Sequence, residues 1–72
     1  MLSENIKKYR LKLGISQDAL ARKADIPYST LIKIESGNRS DPRISTLSKI
    51  ADALDVSIDH LVGRNKKYIN EL

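Results

Sequence analysis

The sequence predicts an all-α fold, a compact bundle of five short helices. Apolar residues recur at helical spacing in five stretches, and no stretch reads as a strand. Gly14, Gly37 and Gly63 each fall just past such a stretch, where a left-handed stop belongs. The agreement of periodicity with punctuation supports the assignment.

The first helix is expected from about Glu4 to Leu13. Ser3 is placed to cap it, Glu4 favours its first turn and Gly14 ends it. Leu2, Ile6, Tyr9 and Leu13 share one stripe at about 100° per residue, with Arg10 at its edge. Lys7, Lys8 and Lys12 point elsewhere, into solvent. Two helices joined by a tight turn follow from Ser16 to Gly37. Ser16 is a good N-cap, and Leu20, Ala21 and Ala24 form an apolar stripe. A residue as small as Ala21 lets two helices cross closely. Asp25-Ile26-Pro27 interrupts the pattern, and Pro27 suits the first turn of the next helix. That helix, from about Tyr28 to Ser36, turns Leu31 and Ile34 inward. Ser29, Ile32, Lys33 and Ser36 face away, with Tyr28 flanking them. Residues 36–43 form a polar loop containing Gly37, Pro42 and two arginines. The fourth helix is expected from about Ser45 or Thr46 to Leu54, with Leu47, Ile50, Ala51 and Leu54 inward. After Val56, Ser57 caps a fifth with Ile58, Leu61 and Val62 apolar. Residues 1–63 thus form one domain, and 64–72 a basic tail or the start of a linker. In the tail, Tyr68, Ile69 and Leu72 either pack as a last apolar patch or fray. The pair from Ser16 to Gly37 has the spacing of a helix-turn-helix unit.

Composition narrows the function classes. Seventy-two residues allow one domain, whose small core depends on well-packed helices. Tyr9, Tyr28 and Tyr68 are the only aromatics, so that core is aliphatic. The absence of cysteine excludes disulfides and thiolate metal sites. The longest apolar run is Ala19-Leu20-Ala21, which offers neither a signal peptide nor a membrane span and favours the cytoplasm. His60 is the only histidine and lies off the apolar face of its helix. A metal site normally needs several such ligands, and a serine nucleophile needs a base beside it. No serine is argued to lie near His60, so no enzyme, no metal and no cofactor is expected. The charge is +4 overall, but it is unevenly spread. Residues 1–43 carry nine Lys or Arg against five Asp or Glu. Residues 44–63 carry Lys49 against Asp52, Asp55 and Asp59. A basic front with an acidic back suits a protein that turns one side to a polyanion. It suits equally a soluble helical protein with mixed surface charge.

The stretch resembles the helix-turn-helix of lambdoid phage repressors and Cro proteins, a family of bacterial transcriptional regulators. The resemblance rests on Ser16-Gln17, Leu20-Ala21, Ile26, Leu31, Ile34, Glu35 and Gly37. It continues through Pro42, Leu47 to Leu54, and Leu61, and covers roughly residues 6–63. Asp25 departs from it, since the family usually has Gly in the turn; Asp tolerates the left-handed region better than most residues.

The resemblance implies a sequence-specific regulator of duplex DNA, a repressor by analogy, whose third helix lies in the major groove. Carried over by position, it puts Tyr28, Ser29, Ile32 and Lys33 at the bases. Lys33 can donate to guanine, and Ile32 either meets a thymine methyl or folds against a neighbouring side chain. Gln17 opens a helix whose free N–H groups favour phosphate, and its amide adds a donor there. Asn38, Arg39 and Arg43 match loop contacts to backbone and minor groove; each arginine is otherwise a solvated charge. The family commonly joins the positions of Arg10 and Glu35 by a partly buried ion pair. Its dimers meet around the fifth helix, here about Asp55 to Val62, so a weak homodimer that closes on DNA is expected. The alternative is a protein-interaction module, such as an antitoxin that binds a toxin partner. The basic loop and Lys33 argue against it, and the tail leaves room for it.

Overall fold

Five helices run in the order α1 (Leu2–Leu13), α2 (Gln17–Ala24), α3 (Tyr28–Glu35), α4 (Ile44–Leu54) and α5 (Ile58–Val62). The computed structural model describes residues 2–37 and 42–63, and among these there is no strand. Asn38, Arg39 and the tail residues Tyr68, Ile69 and Leu72 lie outside the described residues.

Three of the four connections use one device. Gly14, Asp25 and Asp55 each adopt a left-handed conformation, with φ of 70°, 59° and 61°. At each, two N–H groups fold back onto the last turn of the helix. Asp25 donates to the Arg22 carbonyl at 3.1 Å and Ile26 to that of Ala21 at 3.0 Å. Asp55 and Val56 repeat this on Asp52 and Ala51, and Gly14 and Ile15 on Leu11 and Arg10. This is the Schellman stop, which satisfies carbonyls that the helix leaves open. The aliphatic residue that follows, Ile15, Ile26 or Val56, packs against the core. The residue after it, Ser16, Pro27 or Ser57, is extended and opens the next helix. Gly-Ile-Ser, Asp-Ile-Pro and Asp-Val-Ser are therefore one motif written three ways. Ser16 and Ser57 complete it by accepting from the N–H groups of Ala19 and His60, both at 3.1 Å.

The core is aliphatic. Ile6, Leu20, Leu31, Ile34, Ile50 and Leu61 are fully buried, and every helix supplies at least one of them. Ala21, Ala24, Ala51 and Ala53 are also buried. Their small side chains let α2 sit close on both α3 and α4, while α1 spans α3 and α5. An Asn5 amide N–H donated to the Leu61 carbonyl at 3.0 Å pins α1 to α5.

Several expected boundaries move. α1 begins at Leu2, so Ser3 lies inside the helix and does not cap it. Leu13 is 47% exposed, because the chain turns at Gly14 and Ile15 packs on the core instead. Pro27 stands just before α3 rather than within its first turn. α4 begins at Ile44, and no side chain caps it. Neither Ser45 nor Thr46 is its cap, since both already have helical conformation. No helix of the described residues is long and apolar enough to cross a membrane.

The shared stop predicts opposite outcomes for two substitutions. Asp25→Gly should leave stability unchanged or raise it, because Gly reaches the left-handed region without a Cβ clash. Asp25→Ala should cost about 1 kcal/mol relative to Gly, or about 4–8 °C in thermal melts of a domain this size.

Candidate nucleic-acid interface

The surface in question is built around α3. Leu31 and Ile34 hold the helix to the core from behind, and Glu35 is buried beside them. The opposite side presents Tyr28, half exposed, with Ser29 and Lys33 exposed. Ile32 is half-buried at the edge of this face. Lys33 makes no ion pair among the described residues, so its ammonium remains a donor to solvent or to a ligand.

The starts of α2 to α5 differ in a consistent way. α2 and α5 are capped by serine and carry Asp18 and Asp59 in their first turns. α3 and α4 have no side-chain cap and no acid in their first turns. Their opening N–H groups thus keep the partial positive charge that a cap or a carboxylate would offset. Arg43 stands at the start of α4 and is exposed. Between α3 and α4 lies an open cleft of about 210 Å³, lined by Thr30, Ile34, Pro42, Arg43 and Thr46. The structure therefore brings Tyr28, Ser29, Ile32 and Lys33 together on α3, with Arg43 across this cleft. Asn38 and Arg39 fall in the connection outside the described residues.

Behind the face, one network joins three helices. Arg10 Nε donates to Glu35 Oε2 at 2.7 Å, and Nη2 to Oε1 at 3.2 Å. The side chains of Arg10 and Glu35 are only 11% and 2% exposed. Arg10 Nη1 donates to the Ile15 carbonyl at 2.9 Å, in the turn between α1 and α2. Gln17, the first residue of α2, donates from Nε2 to Glu35 Oε1 at 3.0 Å. The Glu35 carboxylate thus receives α1 and α2 at the end of α3, and its charge is offset by a two-point guanidinium contact. The Gln17 bond was not legible in the sequence. Gln17 opens one helix and Glu35 closes the next, and only the angle between the two brings them into contact.

His60 departs from its sequence reading. Its ring is exposed, yet Nδ1 lies 2.7 Å from Ser57 Oγ, so a serine does stand beside the histidine. The spacing of three residues explains it: the hydroxyl that caps α5 meets the ring of the residue whose N–H it accepts. The pair belongs to a helix cap on an open surface.

A helix-turn-helix family model matches residues 6–61. The chain belongs to the helix-turn-helix family. The transcriptional regulator SinR of Bacillus licheniformis is 39% identical over 63 residues, which are 88% of this chain and 57% of that protein. The chain thus spans little more than half of that relative's length. The N-terminal DNA-binding domain of SinR from Bacillus subtilis superposes with a TM-score of 0.84 at 37% identity, covering 94% of this chain and 96% of that one. SinR, the master regulator for biofilm formation, in a crystal structure with DNA superposes at 0.83 with 39% identity, covering 86% and 98%. The five-helix, all-α architecture is the one seen in those domains. The family is one of transcriptional regulators and not of enzymes.

The network predicts a non-additive pair of substitutions. Arg10→Met should destabilise by about 3 kcal/mol, since it leaves the buried Glu35 without a counter-charge. Adding Glu35→Leu should recover much of that loss. Recovery will be incomplete, because the Ile15 carbonyl and the Gln17 amide must then turn to water. Chemical denaturation of the two single variants and the double variant reads the coupling directly.

Proposed function

We propose that this chain binds duplex DNA sequence-specifically and regulates transcription, as a repressor acting in the cytoplasm. In this reading α3 lies in the major groove. Tyr28, Ser29, Ile32 and Lys33 meet base edges, and Gln17, Asn38, Arg39 and Arg43 hold the sugar-phosphate backbone. The observation that carries it is the outer face of α3: polar, solvent-facing and fixed from behind by Leu31, Ile34 and the ion-paired Glu35. The uncapped start of α4 beside Arg43 supports a phosphate there. A homologous domain in complex with DNA lends the same support.

One unit reads only a few base pairs, so two copies are proposed to act on a palindrome with half-sites about 34 Å apart. They would meet through the region from Asp55 to Val62. The small area that α5 offers makes this dimer weak away from DNA.

Selection of sites from random duplex tests the reading and separates two kinds of contact. The wild type should yield a two-fold symmetric motif. Lys33→Ala should flatten one position in each half-site and cost about 1–3 kcal/mol on the preferred sequence. Gln17→Ala should lower affinity for all sequences and leave the motif unchanged. An unchanged motif for Lys33→Ala would move base reading to Tyr28, Ser29 and Ile32.

Salt dependence gives a second check. If two copies each neutralise roughly three or four phosphates, log affinity should fall against log salt with a slope of about −5 to −7. A slope near zero would contradict the proposal.

A further inference from the structure

The buried ion pair has a role beyond holding helices together. We infer that Glu35 positions the Gln17 amide for the DNA backbone, so that the Arg10–Glu35 pair sets DNA affinity through Gln17. This rests on the DNA-binding reading above and deepens it.

The geometry is specific. Gln17 is the first residue of α2 and is half-buried. Left to itself, a glutamine at a helix start samples several rotamers, and ordering it on binding costs entropy. Here Nε2 already donates to Glu35 Oε1 at 3.0 Å. A primary amide nitrogen carries a second N–H, and fixing the first fixes the direction of the other. The amide is therefore prepared before any phosphate arrives.

Glu35 is suited to this only because Arg10 accompanies it. A bare carboxylate beside a phosphate-binding amide would repel the phosphate. The guanidinium at 2.7 Å cancels that charge while leaving Oε1 able to accept from Gln17. Arg10 also fixes the carbonyl of Ile15, two residues before Gln17, and so steadies the backbone that carries the amide. Gln17 is thus a contact residue, and Glu35 and Arg10 are positioning residues that act through it.

The test compares two double variants of equal net charge. Arg10→Met with Glu35→Gln keeps a carbonyl oxygen facing Gln17; Arg10→Met with Glu35→Leu removes it. Both are assayed for binding to one selected duplex and to unrelated duplex at one salt concentration, at a temperature where melts show them folded. The Leu double variant should bind both duplexes roughly three- to tenfold more weakly than the Gln double variant. In a Gln17→Ala background that difference should vanish. Equal affinities for the two double variants, or a difference that survives Gln17→Ala, would overturn the inference while leaving DNA binding intact. Failure of the wild type to bind any duplex would overturn both.

The wild type alone provides a measurement that does not depend on any variant folding. In NMR titration with duplex, one Gln17 side-chain amide proton should hold its shift, because it stays on Glu35, while the other moves. Movement of both, or of neither, would contradict the positioning role.

Discussion

The carboxylate of Glu35 is the point on which this small structure depends. It is buried at the end of α3 and accepts from α1 through Arg10 and from α2 through Gln17. Taking a charge out of water is costly, and a pair seldom repays that cost generously. Its value lies in direction. Aliphatic contacts tolerate small slips between helices, whereas a two-point guanidinium–carboxylate contact does not. The pair therefore defines how the first turn of α2 stands relative to the outer face of α3. Those are the two elements that the proposed DNA complex requires in register.

The rest of the fold supplies stability with few resources. The described residues contribute no Phe or Trp to the core, and its largest members are Ile and Leu. Short helices are marginal alone, so their ends must be closed well and their inner faces packed tightly. The repeated stop serves both needs. A left-handed residue satisfies the last carbonyls, and an aliphatic residue anchors the turn to the core. A serine, or a proline, then starts the next helix. The connection from α3 to α4 begins with the same left-handed residue, Gly37, whose N–H donates to the Ile34 carbonyl at 3.1 Å. Its sequence, however, continues with polar Asn38 and Arg39 where the other three have an aliphatic residue and then Ser or Pro. This departure in sequence coincides with the segment proposed for backbone contact, as expected where function competes with regularity.

Much of this was legible in the sequence, for physical reasons. The inward residues of α2, α3 and α4 follow from helical periodicity, and the left-handed stops at Gly14, Gly37 and Gly63 follow from residue type. The left-handed turn at Asp25 followed from the place where Gly would otherwise stand. Its twin at Asp55 shows in sequence only as a repeat, since Asp55-Val56-Ser57 has the pattern of Asp25-Ile26-Pro27. α4 begins at Ile44, a residue or two before the expected Ser45 or Thr46, because the exposed Ile44 adds nothing to the apolar stripe from which its start is read. Leu13 falls on the inward stripe by periodicity alone, but the helix ends there and Ile15 takes the place against the core. The site divides the same way: the exposure of Tyr28, Ser29 and Lys33 follows from their positions on the helix. The bond from Gln17 to Glu35 depends on an interhelical angle that no local pattern encodes.

The central claim is that one face, made of the start of α2, the outer side of α3 and the start of α4, meets DNA as a unit. Backbone amide shifts recorded while a selected duplex is added test it most directly. The account predicts that Gln17, Tyr28 to Lys33, and Arg43 to Thr46 move together along one binding curve, while Lys7, Lys8 and Leu11 on the outer side of α1 stay still. Movement centred on the outer side of α1, with α3 unaffected, would contradict it.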